Sequence, residues 1–228
     1  MKSVILIFSF LICFSGSAQF AIVADTDSFT NVRNGPGKHY PVQDSLKNGD
    51  VVFLFESEGN WWPIDYGFEN KIFKTGYIYT SKTKSIELFT PIPARVSNDS
   101  VLIYQWDSCK LLITERSFKP KKHKFKYQVL EGGDSILQFI DGKHYWGSDG
   151  DMPRKEYAKC QLKIGKKIVN LPTSTLYNPN FHLTNLYIDR ATETLYLTAF
   201  NSDGAGGYAV LWVIQKGVLK QQIVTYGF

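Results

Sequence analysis

From Ala21 onward the chain is a succession of short apolar or alternating runs, each cut by a turn cluster. FTNVR, DVVFLFE, WWPIDY and KTGYIYT are separated by NGPGKHYP and EGN, and the same rhythm continues to the end. Runs of this length at roughly 8–12 residue spacing read as strands of a small barrel or sandwich. No segment carries a sustained 3.6-residue apolar stripe, although PRKEYAK could hold a helical turn. Aromatic residues make up 15% of the chain, a bias toward pleated surfaces. The expectation is an all-β protein.

The first eighteen residues are expected to lie outside this fold. Lys2, an apolar run from Val4 to Phe14 and the small residues Gly16, Ser17 and Ala18 form the pattern of a cleaved secretory signal over 1–18. Loss of Lys2 takes the formal charge from +5 to +4, too mild an excess to call for nucleic acid. No later stretch approaches a membrane span. The expected location is secreted or periplasmic. In such a compartment Cys109 and Cys160 could form a disulfide or remain two buried thiols.

Pro91 and Pro93 mark the expected division. Each pushes its predecessor toward extended backbone and neither can join a central strand. The reading is a first domain over 19–89, a linker over 90–95, and a β-rich second domain over 96–228, a sandwich or a curved sheet. In the second domain, hairpins are expected around Asp107 to Cys109, Asp141–Gly142, Gly165, Arg190 to Glu193 and Lys216–Gly217.

The segment FTNVRNGPGKHYPVQDSLKNGDVVFLFESEGNWWPIDY, followed by TGYIYTS, resembles the bacterial SH3 (SH3b) family. The resemblance rests on Asn31, Val32, Arg33, Gly35 and Pro36, on Tyr40, Pro41 and Val42, on Lys47 and Gly49, on Gly59, Asn60 and Trp61, and on Gly76, Tyr77 and Ile78. Tyr77 stands where the family usually has Trp, and Pro63 predicts an edge position or a bulge in its strand. The resemblance implies an SH3-like barrel and recognition of a cell-wall peptide or glycan.

From the residues themselves, Gly35 and Gly37 are expected to supply backbone freedom. Val32, Val52, Leu54 and Ile64 alternate toward a core with Trp61 at its centre. His39, Tyr40, Trp62, Tyr66, Tyr77 and Tyr79 cannot all be buried in so small a barrel, so they are the candidate ligand-binding surface.

The second domain shows no catalytic pattern. Neither cysteine lies in a nucleophile motif, and His123, His144 and His182 have no paired-ligand spacing. No catalytic residue, cofactor or metal is expected, and the protein is read as non-enzymatic. Asp149 and Asp151 in GSDGDMP could offer oxygen ligands to calcium, with a solvated turn the plainer reading. Lys119, Lys121, Lys122, Lys124 and Lys126 read as a charged edge, with contact to anionic envelope polymers the lesser alternative.

The glycine-rich loop is the remaining candidate. Ser202, Asp203, Gly204, Gly206, Gly207 and Tyr208 could let a partner approach closely, and the stretch loosely resembles the Ser- and Gly-rich loop of periplasmic lysozyme inhibitors. Asp203 argues against insertion into a carboxylate-lined cleft. Two further readings follow: an inhibitor or immunity protein that blocks a cell-wall hydrolase through this loop, with an exported protein as partner, or a hydrolase using His144, Asp149 or Asp151.

Overall fold

The computed structural model describes residues 19–69 and 72–226; the expected signal segment lies outside the described residues. The described chain is all-β, its only helices single 3₁₀ turns. Seven strands form the first sheet: β1 Gln19–Val23, β2 Phe29–Arg33, β3 Val42–Lys47, β4 Val51–Leu54, β5 Trp61–Glu69, β6 Ile72–Tyr79 and β7 Thr83–Ser85. Their order is β3-β2-β6-β5-β4-β1-β7. The sheet curls around Val32, Val52, Leu54, Ile64, Tyr66 and Ile78, all buried.

The next strands are β8 Thr90–Ile92, β9 Ala94–Ser97, β10 Val101–Trp106, β11 Cys109–Ser117, β12 Phe125–Val129, β13 Ser135–Ile140, β14 Lys155–Ile164, β15 Lys167–Asn170, β16 Thr184–Asp189, β17 Thr194–Asn201, β18 Tyr208–Gln215 and β19 Val218–Tyr226. One five-stranded sheet has the order β15-β14-β11-β10-β9, another β19-β18-β17-β16-β8, and β12 and β13 form a separate ribbon. All pairings within these sheets are antiparallel.

Strand β18, YAVLWVIQ, explains how the layers stack. Its first five residues are all buried, as a strand covered on both faces requires. Val210, Trp212 and Ile214 face the β9–β15 sheet in a core with Leu102, Tyr104, Leu111 and Leu162. Ala209 and Leu211 point the other way, into a cluster with Phe20, Val51, Phe53, Ile86 and Phe89 of the barrel segment. The sheet β8–β19 is therefore a middle layer, with the barrel on one face and a sheet on the other. Phe89 stacks on Tyr196 with ring centroids 5.0 Å apart, so the chain's crossing point is itself part of this shared core.

That crossing corrects the expected linker. Residues 90–92 are strand β8, paired with Leu186, Tyr187 and Ile188, and Ala94 begins β9. Pro91 is accommodated because β8 is an edge strand, where a missing N–H leaves no ladder partner unsatisfied, and Pro93 falls between β8 and β9.

The expected hairpins at Asp107 to Cys109, Gly165, Arg190 to Glu193 and Lys216–Gly217 are all present as ladders. At Asp141–Gly142 both residues have positive φ, 51° and 74°, and the turn forms. Only one bridge, Ile140 to Lys143, follows it, because Tyr145 and Trp146 leave for two different cores and β13 pairs with β12 instead. PRKEYAK is not helical; Lys155 opens the ten-residue strand β14.

Cys109 and Cys160 are both free. Cys109 pairs with Ile164 and Cys160 with Ile113, so the two sit on neighbouring strands four rungs apart. At about 3.3 Å per residue that separation is roughly 13 Å, well beyond the ~7 Å that a disulfide spans. Burial pushes both thiols above their ordinary range, which keeps them protonated.

Replacing Leu211, fully buried between the barrel and the middle sheet, removes contacts from both units at once. Leu211→Ala is expected to cost about 3 kcal/mol in urea unfolding, with barrel and sandwich still melting in one transition. Two separate transitions in the wild type would show that the shared core does not couple the units.

Candidate functional site

The parity of strand β5 decides which aromatics are available. Ile64 and Tyr66 point into the barrel, so Trp62, two residues earlier, points the same way and packs against that core. Trp61, Pro63 and Asp65 necessarily occupy the opposite face. The expected roles of the two tryptophans are thus exchanged: Trp62 supports the core, and Trp61 lies on the outer surface. Tyr66, expected at the surface, is buried, its hydroxyl accepting from Gln43 Nε2 at 3.4 Å.

On the outer face, β5 and β6 pair as Trp61 with Tyr79, Pro63 with Tyr77, and Asp65 with Thr75. Trp61 and Tyr79 meet edge to face with centroids 5.4 Å apart. The Tyr77 hydroxyl donates to Glu58 at 3.2 Å, which fixes its ring. Pro63 neither bulges the β5–β6 pairing nor sits on an edge strand. Its carbonyl accepts from Phe55 N at 3.0 Å, so its missing N–H faces the side on which β4 has already ended at Leu54.

A cleft opens at each end of this stripe. At the Trp61–Tyr79 end, about 360 Å³ is bounded by Phe29, Arg33, Lys38, Asp25 and Lys82. Lys82 donates to Asp25 at 2.6 Å and holds that carboxyl below the usual carboxylate range. Arg33 donates to the Tyr40 carbonyl at 2.6 Å, and the exposed Tyr40 ring lies against His39, centroids 4.4 Å apart. Gly35 and Gly37 have no positive φ; they are glycine because the Tyr40 and His39 rings pack directly on their backbone.

At the other end a cleft of about 380 Å³ is lined by Asn34, Gln43, Phe55, Pro63, Asp65, Thr75 and Tyr77. Asp65 is only 5% exposed and has no hydrogen bond or ion pair among the described residues. Burial pushes its carboxyl up to about 6. Sequence reasoning missed this residue. The signal was available, since an acidic side chain two positions from Pro63 and four from Trp61 on one strand must share their face.

In the second unit the structure brings together two of the singled-out segments. Gly147, Ser148, Asp149 and Asp151 face Ser202, Asp203 and Gly206 across a cleft of about 500 Å³, closed by Asn178, Asn180 and His182. Three buried or half-buried amides and hydroxyls build it. Asn201 donates to the Tyr157 and Tyr208 hydroxyls (2.9 and 3.1 Å) and accepts from Asn180 N at 2.8 Å. Asn178, at φ 50°, accepts from the backbone of Arg154 and Lys155 and donates to the Gly147 carbonyl. Ser202, at φ 62°, donates to the same carbonyl at 3.0 Å.

The glycine loop is not a free protrusion. Gly204 to Gly206 form a 3₁₀ turn, and Gly206 lies against the Ser148 backbone. Asp203 and Gly204 are exposed, Ser202, Gly206 and Gly207 half-buried, and Tyr208 is buried with its hydroxyl donating to the Tyr177 carbonyl at 2.9 Å. Tyr208 is therefore part of the scaffold, not a contact residue. The His144 ring lies tilted against Phe139, centroids 4.3 Å apart, and does not line the cleft that holds Asp149 and Asp151. Among the described residues no three His, Cys, Asp or Glu converge as a cation's ligands. His123 is held between Asp141 at 2.7 Å and Glu156 at 3.5 Å, and Lys119, Lys121 and Lys122 are exposed.

Residues 28–82 match the family model described as bacterial SH3 domain. This confirms the resemblance read from the first domain. Bacterial SH3 domains are commonly cell-wall binding and often extracellular. No curated protein and no solved structure matches the chain significantly. No helix among the described residues is long and apolar enough to cross a membrane.

Two expectations follow from this geometry. The Asp65 carboxyl ionises near pH 6 in the fold and near 4 when unfolded, so the fold loses stability as pH rises between those values and stays weaker above them. Asp65→Asn is expected to raise urea stability by about 2 kcal/mol near pH 7.5, the gain shrinking toward pH 4; equal gains at both pH values would contradict an isolated buried charge. Gly147, at φ 103° with the Tyr177 carbonyl against it, tolerates no side chain. Gly147→Ala should cost about 2 kcal/mol or more by thermal melting, and an unchanged midpoint would mean the cleft is loosely held.

Proposed function

We propose that the protein is an exported recognition protein without turnover, whose SH3 barrel binds an extended peptide or glycan of the cell envelope along the outer face of β5 and β6. The observation that carries this reading is the stripe of Trp61, Tyr79, Pro63 and Tyr77, fixed by cross-strand pairing and continued by a cleft at each end. Rigid aromatic and proline surface offers contact area at little entropic cost, and flanking polar groups set the register of a ligand. Membership of residues 28–82 in a family commonly used for cell-wall binding supports the same assignment.

Of the surface aromatics expected from the sequence, Tyr77 and Tyr79 belong to this face, and His39 and Tyr40 stand beside its Arg33 end. Trp61 joins them, while Trp62 and Tyr66 act from the core. The second unit serves as the body on which the barrel is mounted through Phe53, Phe20 and Leu211.

The reading is tested by sedimenting the protein with purified peptidoglycan. Trp61→Ala is expected to weaken binding about tenfold, or ~1.4 kcal/mol, with an unchanged melting curve. Trp62→Ala should instead lower the melting temperature. A wild-type protein that never sediments, or a Trp61→Ala variant that binds as well as wild type, would overturn the assignment.

A further inference from the structure

The cleft beneath Tyr77 has the composition of a receptor for one kind of group. Its only charged side chain is Asp65, buried in the floor and without a partner among the described residues. Proteins leave a carboxylate in that condition rarely, because removal from water without pairing is costly. Gln43 uses its Nε2 on the Thr75 carbonyl at 2.5 Å and the Tyr66 hydroxyl, which leaves its Oε1 as a second acceptor. Phe55, Pro63 and the Tyr77 ring supply apolar walls.

We infer that this cleft is a subsite for a primary ammonium group at the end of a short aliphatic arm, with Asp65 as its counter-ion. A divalent metal is disfavoured, since only one carboxylate converges here and hard cations require several oxygen ligands. Among the described lining residues the one charge is negative, which disfavours an anion. The ammonium would restore the pairing that Asp65 lacks, while its methylenes lie against Phe55 and the face of Tyr77. Along β5, Asp65 stands four residues from Trp61, roughly 13 Å at about 3.3 Å per residue. A ligand extended over the aromatic stripe would therefore deliver an amine-bearing side arm to Asp65. The inference rests on the recognition reading above and names the ligand chemistry: an envelope polymer with a free primary amine on a short aliphatic side arm.

The groups facing Asp65 make its titration simple to read. Opposite it stand Phe53 on β4 and Thr75 on β6, neither charged. Tyr77 is the other titratable residue lining the cleft, and Glu58 is held to it. Lys74 of β6 pairs with Asp44 at 2.7 Å. From β19, which packs against β5, the barrel-facing Ile223 and Thr225 carry no charge.

The test is an NMR titration of the full chain with 1,5-diaminopentane, using pentane-1,5-diol as the uncharged control. Saturable shifts at the amides of Thr75, Gly76 and Tyr77 are expected near pH 7.5. They should be lost in Asp65→Asn, a variant expected to fold because it removes an unpaired charge, and lost in the wild type near pH 5 as Asp65 protonates. No saturable shift, or equal shifts with the diol or in Asp65→Asn, overturns the subsite. Sedimentation with native and N-acetylated peptidoglycan separates this from the broader reading. Tenfold weaker binding to the acetylated polymer by wild type, but not by Asp65→Asn, supports the subsite. Equal binding to both polymers sinks the subsite and leaves wall recognition standing. No binding to either polymer, with the diamine still titrating against Asp65, sinks wall recognition and leaves the subsite.

Discussion

The burial of β18 on both faces is the constraint from which the rest follows. A strand reading YAVLWVI cannot face water, so it needs a layer on each side. Trp212 and its neighbours obtain one from the β9–β15 sheet. Ala209 and Leu211 obtain the other from Phe20, Val51, Phe53 and the segment around Phe89. The barrel is thus a covering layer of the second unit as well as a fold of its own. This arrangement places β4 toward the middle sheet and brings β5 against β19, while Trp61, Pro63, Tyr77 and Tyr79 line open clefts.

The proposed recognition face and the shared core are consequently two parts of one surface. Phe53, directly opposite Asp65, lies in the shared core, while Pro63 and Tyr77 line open space. Asp65 stands at the boundary between them, shielded enough to shift its titration and open enough to line a cleft. The polar network around Asn178 and Asn201 organises the second unit's cleft in a different manner. There every buried amide is paired, which makes a rigid scaffold, whereas at Asp65 the missing partner is the informative feature.

Several elements were legible from residue order. The all-β class followed from run length and spacing, and four of the five hairpins formed where turn residues announced them, because a turn's positive φ is a local property of residues such as Lys216 and Gly217. The barrel was recognisable because its motif residues lie in the order that its strands require. Asp141–Gly142 shows the limit. The turn formed, but its outgoing segment was drawn into other cores by Tyr145 and Trp146, a competition between distant partners that local sequence does not record.

The candidate site was legible in part. Tyr77 and Tyr79, singled out by their aromatic character, stand on the outer face of β6, yet the expected places of Trp61 and Trp62 were exchanged, because composition ranks side chains by size while strand parity assigns their face. Sequence by itself determined the strand inventory, the barrel motif and the aromatic wealth of β5 and β6, all of which depend on neighbours along the chain. Tertiary structure alone decided that 90–92 would close a sheet, that Cys109 and Cys160 would stand four rungs apart, and that Gly206 would rest on Ser148. It also left Asp65 buried without a partner among the described residues. Those outcomes depend on register and on which layer covers which face, quantities set by contacts between residues far apart in the chain.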